Sequence, residues 1–412
     1  MHAWLFKLAQ ASRRLGPRIG IQAALSLAAV ASAPGLGGRV PEAWVGRLGE
    51  EALESVLTLL ASSMLPVATF SMATIVAAHA AVLGNASPRA AALLMEDKGA
   101  LRAVSAFVGV FVYSVLGLIG LATGQFSPGA RLLLFLLTLV VVAWVIGRLV
   151  AWIDALTRMV RVRDAVKRVE AEMREALRKR EPLLGGAPAA PLPPDALAIC
   201  PEIIGYVQMI DVGALQEMAE HHGLTLQLAL LPGAFTRLSQ PLMHVIEGRV
   251  DDPLVARLRK SFVIEQRRDF RQDPRFGLVV LGEIGSRALS PGINDPGTAI
   301  DAVGAAVRVL SHWGADRWRA PDDVRCGRVR VPHLSAHDVF EDVFRPIARD
   351  GRAFVEVQLA LQHGLEELAR IPADGFADAA RRQSRQALAR AEAGLTLESD
   401  LSEVRAASGW SA

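Results

Sequence analysis

The chain has 412 residues, of which 51% are hydrophobic, 21% charged and 6% aromatic, with a formal net charge of +3 and two cysteines. That composition excludes a disordered chain, a collagen-like repeat and a small disulfide-stapled scaffold. Charge is unevenly spread: 17 of the first 152 residues are Asp, Glu, Lys or Arg, about 11%, against 70 of the remaining 260, about 27%. One part is composed for lipid and the other for water.

Long uncharged runs define the first part. Ile19–Gly38 runs 20 residues without a charge, Ser55–Pro88 runs 34, Ala103–Ala130 runs 28, and Leu132–Gly147 adds 16 after Arg131. About 20 apolar residues cross a bilayer as a helix. The pattern therefore predicts four transmembrane helices, at about 16–38, 55–83, 103–124 and 131–152, in a membrane domain of residues 1–152. Arg148, near the end of the fourth, can snorkel to the interface. The first segment is the weakest because it is rich in Ala and Gly. Ala31-Ser32-Ala33 also resembles a signal-peptide cleavage site, but the polar stretch ahead is long for a signal peptide, which favours a retained helix.

Basic residues in the flanks set the expected orientation. Lys7, Arg13, Arg14 and Arg18 precede the first span, Arg89, Lys98 and Arg102 separate the second and third, and Arg158, Arg161, Arg163, Lys167 and Arg168 follow the fourth. The opposite side carries Arg39, Arg47 and Arg131, with Glu42, Glu50, Glu51 and Glu54 among them. Both termini are thus expected in the cytoplasm. Cys200 and Cys326 then fall in a reducing compartment and are expected as free thiols. Residues 153–412 carry a net charge of −2, which gives no electrostatic case for nucleic-acid binding.

Residues 153–182 read as an amphipathic helix extending from the fourth span. Leu156, Val160, Val166, Val169, Met173 and Leu177 recur at helical spacing among charged neighbours. Such a helix either docks on its own domain or pairs with a neighbouring subunit. Residues 183–194 (LLGGAPAAPLPP) read as a linker. Residues 195–250 form a small β subdomain, with strands at Ile203–Ile210, Leu224–Leu231 and Leu242–Ile246 and a short helix at Asp211–His222. A small barrel or sandwich is the expected product. Residues 251–412 read as mainly helical. Phe276, Val280 and Ile284 make an apolar stripe, with Gly282 and Gly285 allowing close approach, and Ala299, Val303, Val307 and Leu310 continue a core face. Further helices are expected at Ala336–Arg349, Phe354–Ile371 and Ala377–Leu395. The expected fold class is an α-helical membrane protein with a cytoplasmic α+β domain.

Two polar segments could carry chemistry in the water-facing part. Gln266–Gly277 contributes Arg268 and Asp273, and Arg287–Asp301 contributes Arg287, Ser290, Asn294 and Asp295. Asp295 followed by Pro296 is a helix start: the carboxylate can cap free N–H groups, and proline fits the first turn. The same amides beside Arg287 and Ser290 could bind a small anion such as phosphate. Pairing of Arg287 with Asp295 or Asp301 is the simpler structural alternative. Asp273, Asn294, Asp295 and Asp301 could hold a hard cation, but their spacing is not diagnostic. His221 and His222 are adjacent and cannot share a helical face, so no metal is assigned.

The lipid-facing part offers a different signal. Ser55, Thr58, Ser62, Pro66 and Thr69 lie at steps of three, four, four and three, hence on one face of the second span. That stripe could line a water-filled path with Pro66 as a bend, or form a small-residue packing face between helices. His79, toward the cytoplasmic end, is titratable.

GYVQMID (Gly205–Asp211), PGAF (Pro232–Phe235), RALSPGINDPGTA (Arg287–Ala299) and FEDVFRPIARDG (Phe340–Gly351) occur in that order. With the four spans, they give a chain that resembles the bacterial predicted membrane proteins called domain of unknown function 2254. The family pattern near Arg268 is close to Arg-Thr-x-x-Gln-Asp, and this chain has Asp269 in place of the Thr. The resemblance implies a multi-pass bacterial inner-membrane protein and no established activity.

No Walker loop, dinucleotide glycine motif, Gly-x-Ser-x-Gly, His-Glu-x-x-His or Cys-x-x-Cys is present, so no catalytic residue and no cofactor is assigned. The leading expectation is an oligomeric channel or channel-like conductor in the lipid bilayer, a homo-oligomer with the second span lining its path. The alternative is a membrane-anchored sensor or scaffold that binds a small anion, an ion or a protein partner in the cytoplasm.

Overall fold

The computed structural model describes residues 15–37, 50–85, 89, 98–159, 162–179, 186–270, 272–316 and 325–411. The flanking residues Lys7, Arg13, Arg14, Arg39, Glu42 and Arg47, the junction at Val160 and Arg161, the side chain of His79, and residues 183–185 of the expected linker lie outside that set. The chain divides into two units, one of residues 1–84 and 91–161, the other of residues 85–90 and 162–412.

The first unit is helical: α1 (Leu15–Gly37), α2 (Glu50–Asn85), α3 (Lys98–Ala122) and α4 (Pro128–Met159). Three of these are long and apolar enough to cross a membrane, over Glu51–Ala78, Arg102–Ala122 and Pro128–Asp154. The expected count of four is not reached on length and composition. The apolar part of α1, Ile19–Gly35, is apolar enough but too short. Helix α3 is central, with 56% of its apolar stretch enclosed against 22% for α2 and 17% for α4. One core joins Leu60, Ala68 and Ile75 of α2 to Phe107 and Val110 of α3 and Val145 and Trp152 of α4. A second joins Val30 and Ala33 of α1 to Leu57, Tyr113 and Leu134. Ser26 of α1 donates to the Gly109 carbonyl at 2.9 Å, and Tyr113 meets the Thr138 hydroxyl at 2.9 Å, so polar groups inside the bundle find partners. Large apolar side chains also face outward, among them Leu59, Phe70, Val76, Val140, Ile146 and Val150. In water such a surface would be a liability; against acyl chains it is the expected one.

The second unit opens with α5 (Val162–Lys179). Its buried stripe of Ala165, Val166, Val169, Met173, Ala176 and Leu177 packs inside this unit, on α8 (Pro274–Ala288) and α9 (Pro296–Asp316). Arg308 of α9 fixes the register by donating to Glu170 at 2.8 Å. The amphipathic helix therefore docks on its own domain.

The sheet region follows: β1 (Gly186–Pro188), β2 (Leu197–Ile199), β3 (Gly205–Ile210), α6 (Val212–His222), β4 (Thr225–Leu228), β5 (Phe235–Thr236), β6 (Met243–Glu247), α7 (Asp252–Arg259) and β7 (Phe262–Glu265). Asp211 caps α6 by accepting from the Ala214 N–H, and Gly223 ends it at φ 64°. The strands form two sheets, ordered β1-β8-β4-β6-β2 and β5-β3-β7, where β8 is Cys326–Val331. No barrel closes among the described residues, since β1 and β2 stand at opposite ends of the five-strand order. One sequence expectation is corrected here. Gly186–Pro188, read as linker, is a strand parallel to β8, and both β7 and β8 lie within the stretch read as mainly helical. One hydrophobic core draws on both sheets, including Val207, Ile210, Leu226, Met243, Val245, Phe262 and Val329.

The remaining helices are α10 (Ala336–Asp350), α11 (Val355–Ala369), α12 (Phe376–Glu392) and α13 (Glu398–Ser408). Helices α8 and α10 approach closely because a Cβ on Gly282 would lie 2.8 Å from the Asp342 carbonyl oxygen. Ile347 fills the space beside Gly285 one turn on.

Candidate functional site

The first polar segment builds a node at the start of α8. Asp273 is the N-cap: its Oδ1 accepts from the Phe276 N–H at 3.1 Å, and Pro274 takes the first helical position. Arg268 closes a bidentate pair, Nε to Oδ2 at 2.7 Å and Nη2 to Oδ1 at 3.0 Å, while its guanidinium lies 5.3 Å over the Phe276 ring. The PGAF loop crosses directly above. Gly233, at φ 91°, packs its Cα against the Asp273 carboxylate and donates to the Val207 carbonyl at 2.7 Å. Any side chain there would enter the space the carboxylate fills, in a backbone conformation that disfavours one. Gln272 accepts from the Ile210 N–H at 3.0 Å, and Gln208 donates to the Arg267 carbonyl at 2.7 Å, tying the segment to β3.

One residue further into α8, Arg275 donates to both oxygens of Asp342 at 2.7 and 3.1 Å and to Asp338 at 3.2 Å. GYVQMID, PGAF and FEDVFRPIARDG are distant in sequence, yet each contributes to this node. Burial pushes the Asp273 and Asp342 carboxyls above the ordinary carboxylate range. Arg268, the Phe276 amide and Arg275 oppose that rise at Asp273, and Arg275 opposes it at Asp342. Sequence reasoning missed Arg275, Asp338 and Asp342 as partners because 67 positions separate Arg275 from Asp342.

The second segment lies at the other end of the same helix. Ser290 donates to the Arg287 carbonyl at 2.6 Å, Asn294 turns the chain at φ 53°, and the Asp295 N–H reaches the Ala288 carbonyl at 2.8 Å. Asp295 then caps α9, accepting from the Thr298 N–H at 3.1 Å and its hydroxyl at 2.5 Å. Arg287 is half-buried, and Asn294 and Asp295 are exposed. Helix α8 has 15 residues, so its ends lie about 20 Å apart. Arg268 and Asp273 therefore cannot share one small ligand with Arg287, Ser290, Asn294 and Asp295. At the start of α8 Asp273 accepts from the Phe276 amide, and at the start of α9 Asp295 accepts from the Thr298 amide.

Among the described residues, no group of three His, Cys, Asp or Glu could hold a metal ion. Cys200 and Cys326 are free thiols. Burial, helped by Glu220, pushes the Cys326 thiol up, which keeps it in its less reactive protonated form.

On α2 the five stripe residues Ser55, Thr58, Ser62, Pro66 and Thr69 are all exposed. They lie opposite the buried face of Leu53, Leu57, Leu60, Ala68 and Ile75, so among the described residues of one chain they are not the helix-packing face. Ser62 donates to the Leu59 carbonyl at 3.1 Å and Thr69 to the Pro66 carbonyl at 2.9 Å, which leaves their oxygen lone pairs outward. Pro66 has no N–H, so the Ser62 carbonyl loses its helix donor on this same face.

A family model described as Predicted membrane protein (DUF2254) matches residues 13–367. The chain belongs to this family. The DUF2254 match takes in both units and every candidate residue above, and stops just before the end of α11. Uncharacterised proteins of Mycobacterium bovis and Mycobacterium tuberculosis are each 34% identical to the chain over 145 residues, which is 34% of this chain and 27% of each relative. The chain thus matches about a quarter of the length of these curated relatives. No solved structure matches it.

Proposed function

We propose that this DUF2254 protein is an oligomeric channel-like conductor of a bacterial inner membrane, with α2 of each copy lining the path. The observation that carries this reading is the exposure of the whole Ser55–Thr69 stripe opposite the packed face of α2. Polar hydroxyls and an undonated carbonyl on an outward membrane face gain most when water or an ion meets them, and a ring of copies provides that. Large apolar residues on the same helix, Leu59 and Phe70 to one side and Leu65 and Val76 to the other, flank the stripe and suit lipid or a neighbouring copy. Helix α1 serves as a fourth span, which its packing on α3 and α4 supports, and both termini lie in the cytoplasm with the second unit.

The alternative, an anion-binding sensor or scaffold, has less behind it. Asp273 already holds Arg268, and Asp295 already accepts from the amide and hydroxyl of Thr298 at the start of α9. Size measurement of the purified protein in mild detergent tests the channel reading. A discrete oligomer is expected, and a monomer at all concentrations contradicts it.

A further inference from the structure

The second unit carries an apolar rim at one end of its three-stranded sheet. Strand β5 pairs antiparallel with β3, Gly205 opposite Thr236 and Tyr206 opposite Phe235. Ile203 and Ile204 lead into β3, and Arg237 and Leu238 leave β5, at this same end of the pairing. Thr236 secures the corner, its hydroxyl donating to the Ile203 carbonyl at 3.0 Å. Four large apolar side chains gathered here are unusually open for a folded domain: Ile203 54% exposed, Ile204 59%, Phe235 45% and Leu238 53%. Tyr206 stands beside Phe235 with ring centroids 5.1 Å apart.

On the β5 side the rim carries basic charge only. No Asp or Glu occurs between His221 and Ile246. On the β3 side, Glu202 is held by Arg259 at 2.6 Å, and Glu265 of β7 lies opposite Tyr206. Arg237 is exposed and makes no ion pair among the described residues. Four half-exposed side chains offer on the order of a few hundred Å², short of the ~800 Å² per partner that a stable protein interface uses. A shallow apolar rim carrying one open guanidinium suits an anionic lipid surface, where side chains enter the headgroup boundary and the cation meets phosphate.

We propose that the Ile203–Ile204 and Phe235–Leu238 rim is a membrane-interface anchor, which seats the second unit on anionic lipid through four apolar side chains and Arg237. The link from α4 to α5 keeps the unit covalently tied to a membrane segment, so its local lipid concentration is high.

The test uses the full-length chain carrying Cys200→Ser and Cys326→Ser, with an environment-sensitive fluorophore at Phe235→Cys or, as a second position, Leu238→Cys. In phosphatidylcholine–phosphatidylglycerol vesicles, a quencher on the lipid near the headgroup should extinguish most of either label's fluorescence. A label at Asp378→Cys, whose side chain is 92% exposed on α12, should keep its fluorescence. Adding Arg237→Glu should lose much of the quenching, and more so with phosphatidylglycerol present than in phosphatidylcholine alone. Unquenched fluorescence at both rim positions overturns the proposal. So does a rim label shielded from a soluble quencher but not reached by the lipid quencher, since a second copy or another protein would then cover the rim.

Discussion

Arg268 and Asp273 lock the start of α8 through two hydrogen bonds of 2.7 and 3.0 Å, with the carboxylate only 1% exposed and the guanidinium 19%. The same carboxylate caps the helix and supports the Gly233 loop, so one side chain joins three elements. Asp273→Ala leaves Arg268 without its partner in a largely buried place. The expected cost is about 3–5 kcal/mol, the usual penalty for breaking a buried pair from one side. Thermal unfolding of the purified protein should show a large fall in the midpoint of the second unit's transition.

Gly233 tests the same node from the loop side. At φ 91° a Cβ is disfavoured, and here it would also meet the Asp273 carboxylate. Gly233→Ala is expected to lose at least about 1 kcal/mol on backbone grounds alone. Combined with Asp273→Ala, which removes the carboxylate, its cost should shrink to that backbone part. A double-mutant cycle on unfolding midpoints reads this directly.

A pH dependence follows from Asp350 at the end of α10. The Arg349 guanidinium beside it, with the Ser286 hydroxyl, holds its carboxyl below the ordinary carboxylate range. A depressed folded value means the stabilisation is present above the unfolded pKa of about 3.9 and is lost as pH falls through the folded value. Asp350→Asn should therefore be less stable than the parent at neutral pH, by a modest amount because the side chain is 28% exposed. The gap in unfolding midpoints should close below about pH 4.

Much of this architecture was legible because it rests on local signals. Uncharged length marked α2, α3 and α4, the period of Val166, Val169, Met173 and Leu177 marked α5, and Asp295-Pro296 marked the start of α9. The sheet was only half legible. Strand β1 hides in a Pro- and Gly-rich stretch, and β8 lies over 130 residues away in sequence, so nothing local announces that they pair. The node at Asp273 was legible as polar residues but not as an arrangement, because its partners come from β3, the Gly233 loop and α10. The stripe on α2 was legible in full from its spacing. Which way it faces required the packing of the other helices.

Glu51 extends the stripe. It stands four residues before Ser55, one helical turn away on the same face, and is exposed. In a ring of copies it places carboxylates at one mouth of the path, an arrangement that favours cations. Glu51→Gln should lower the cation-over-anion permeability ratio, read as a shift in reversal potential under a salt gradient, while conductance persists.

The most direct measurement is ion flux through proteoliposomes holding equal amounts of the parent protein and of Ser62→Leu. Ser62 sits mid-stripe on an exposed face, so leucine there should leave folding intact while removing a hydroxyl and narrowing the path. The account predicts flux through the parent and its loss in Ser62→Leu. Equal flux in the two, or none through the parent, would contradict it.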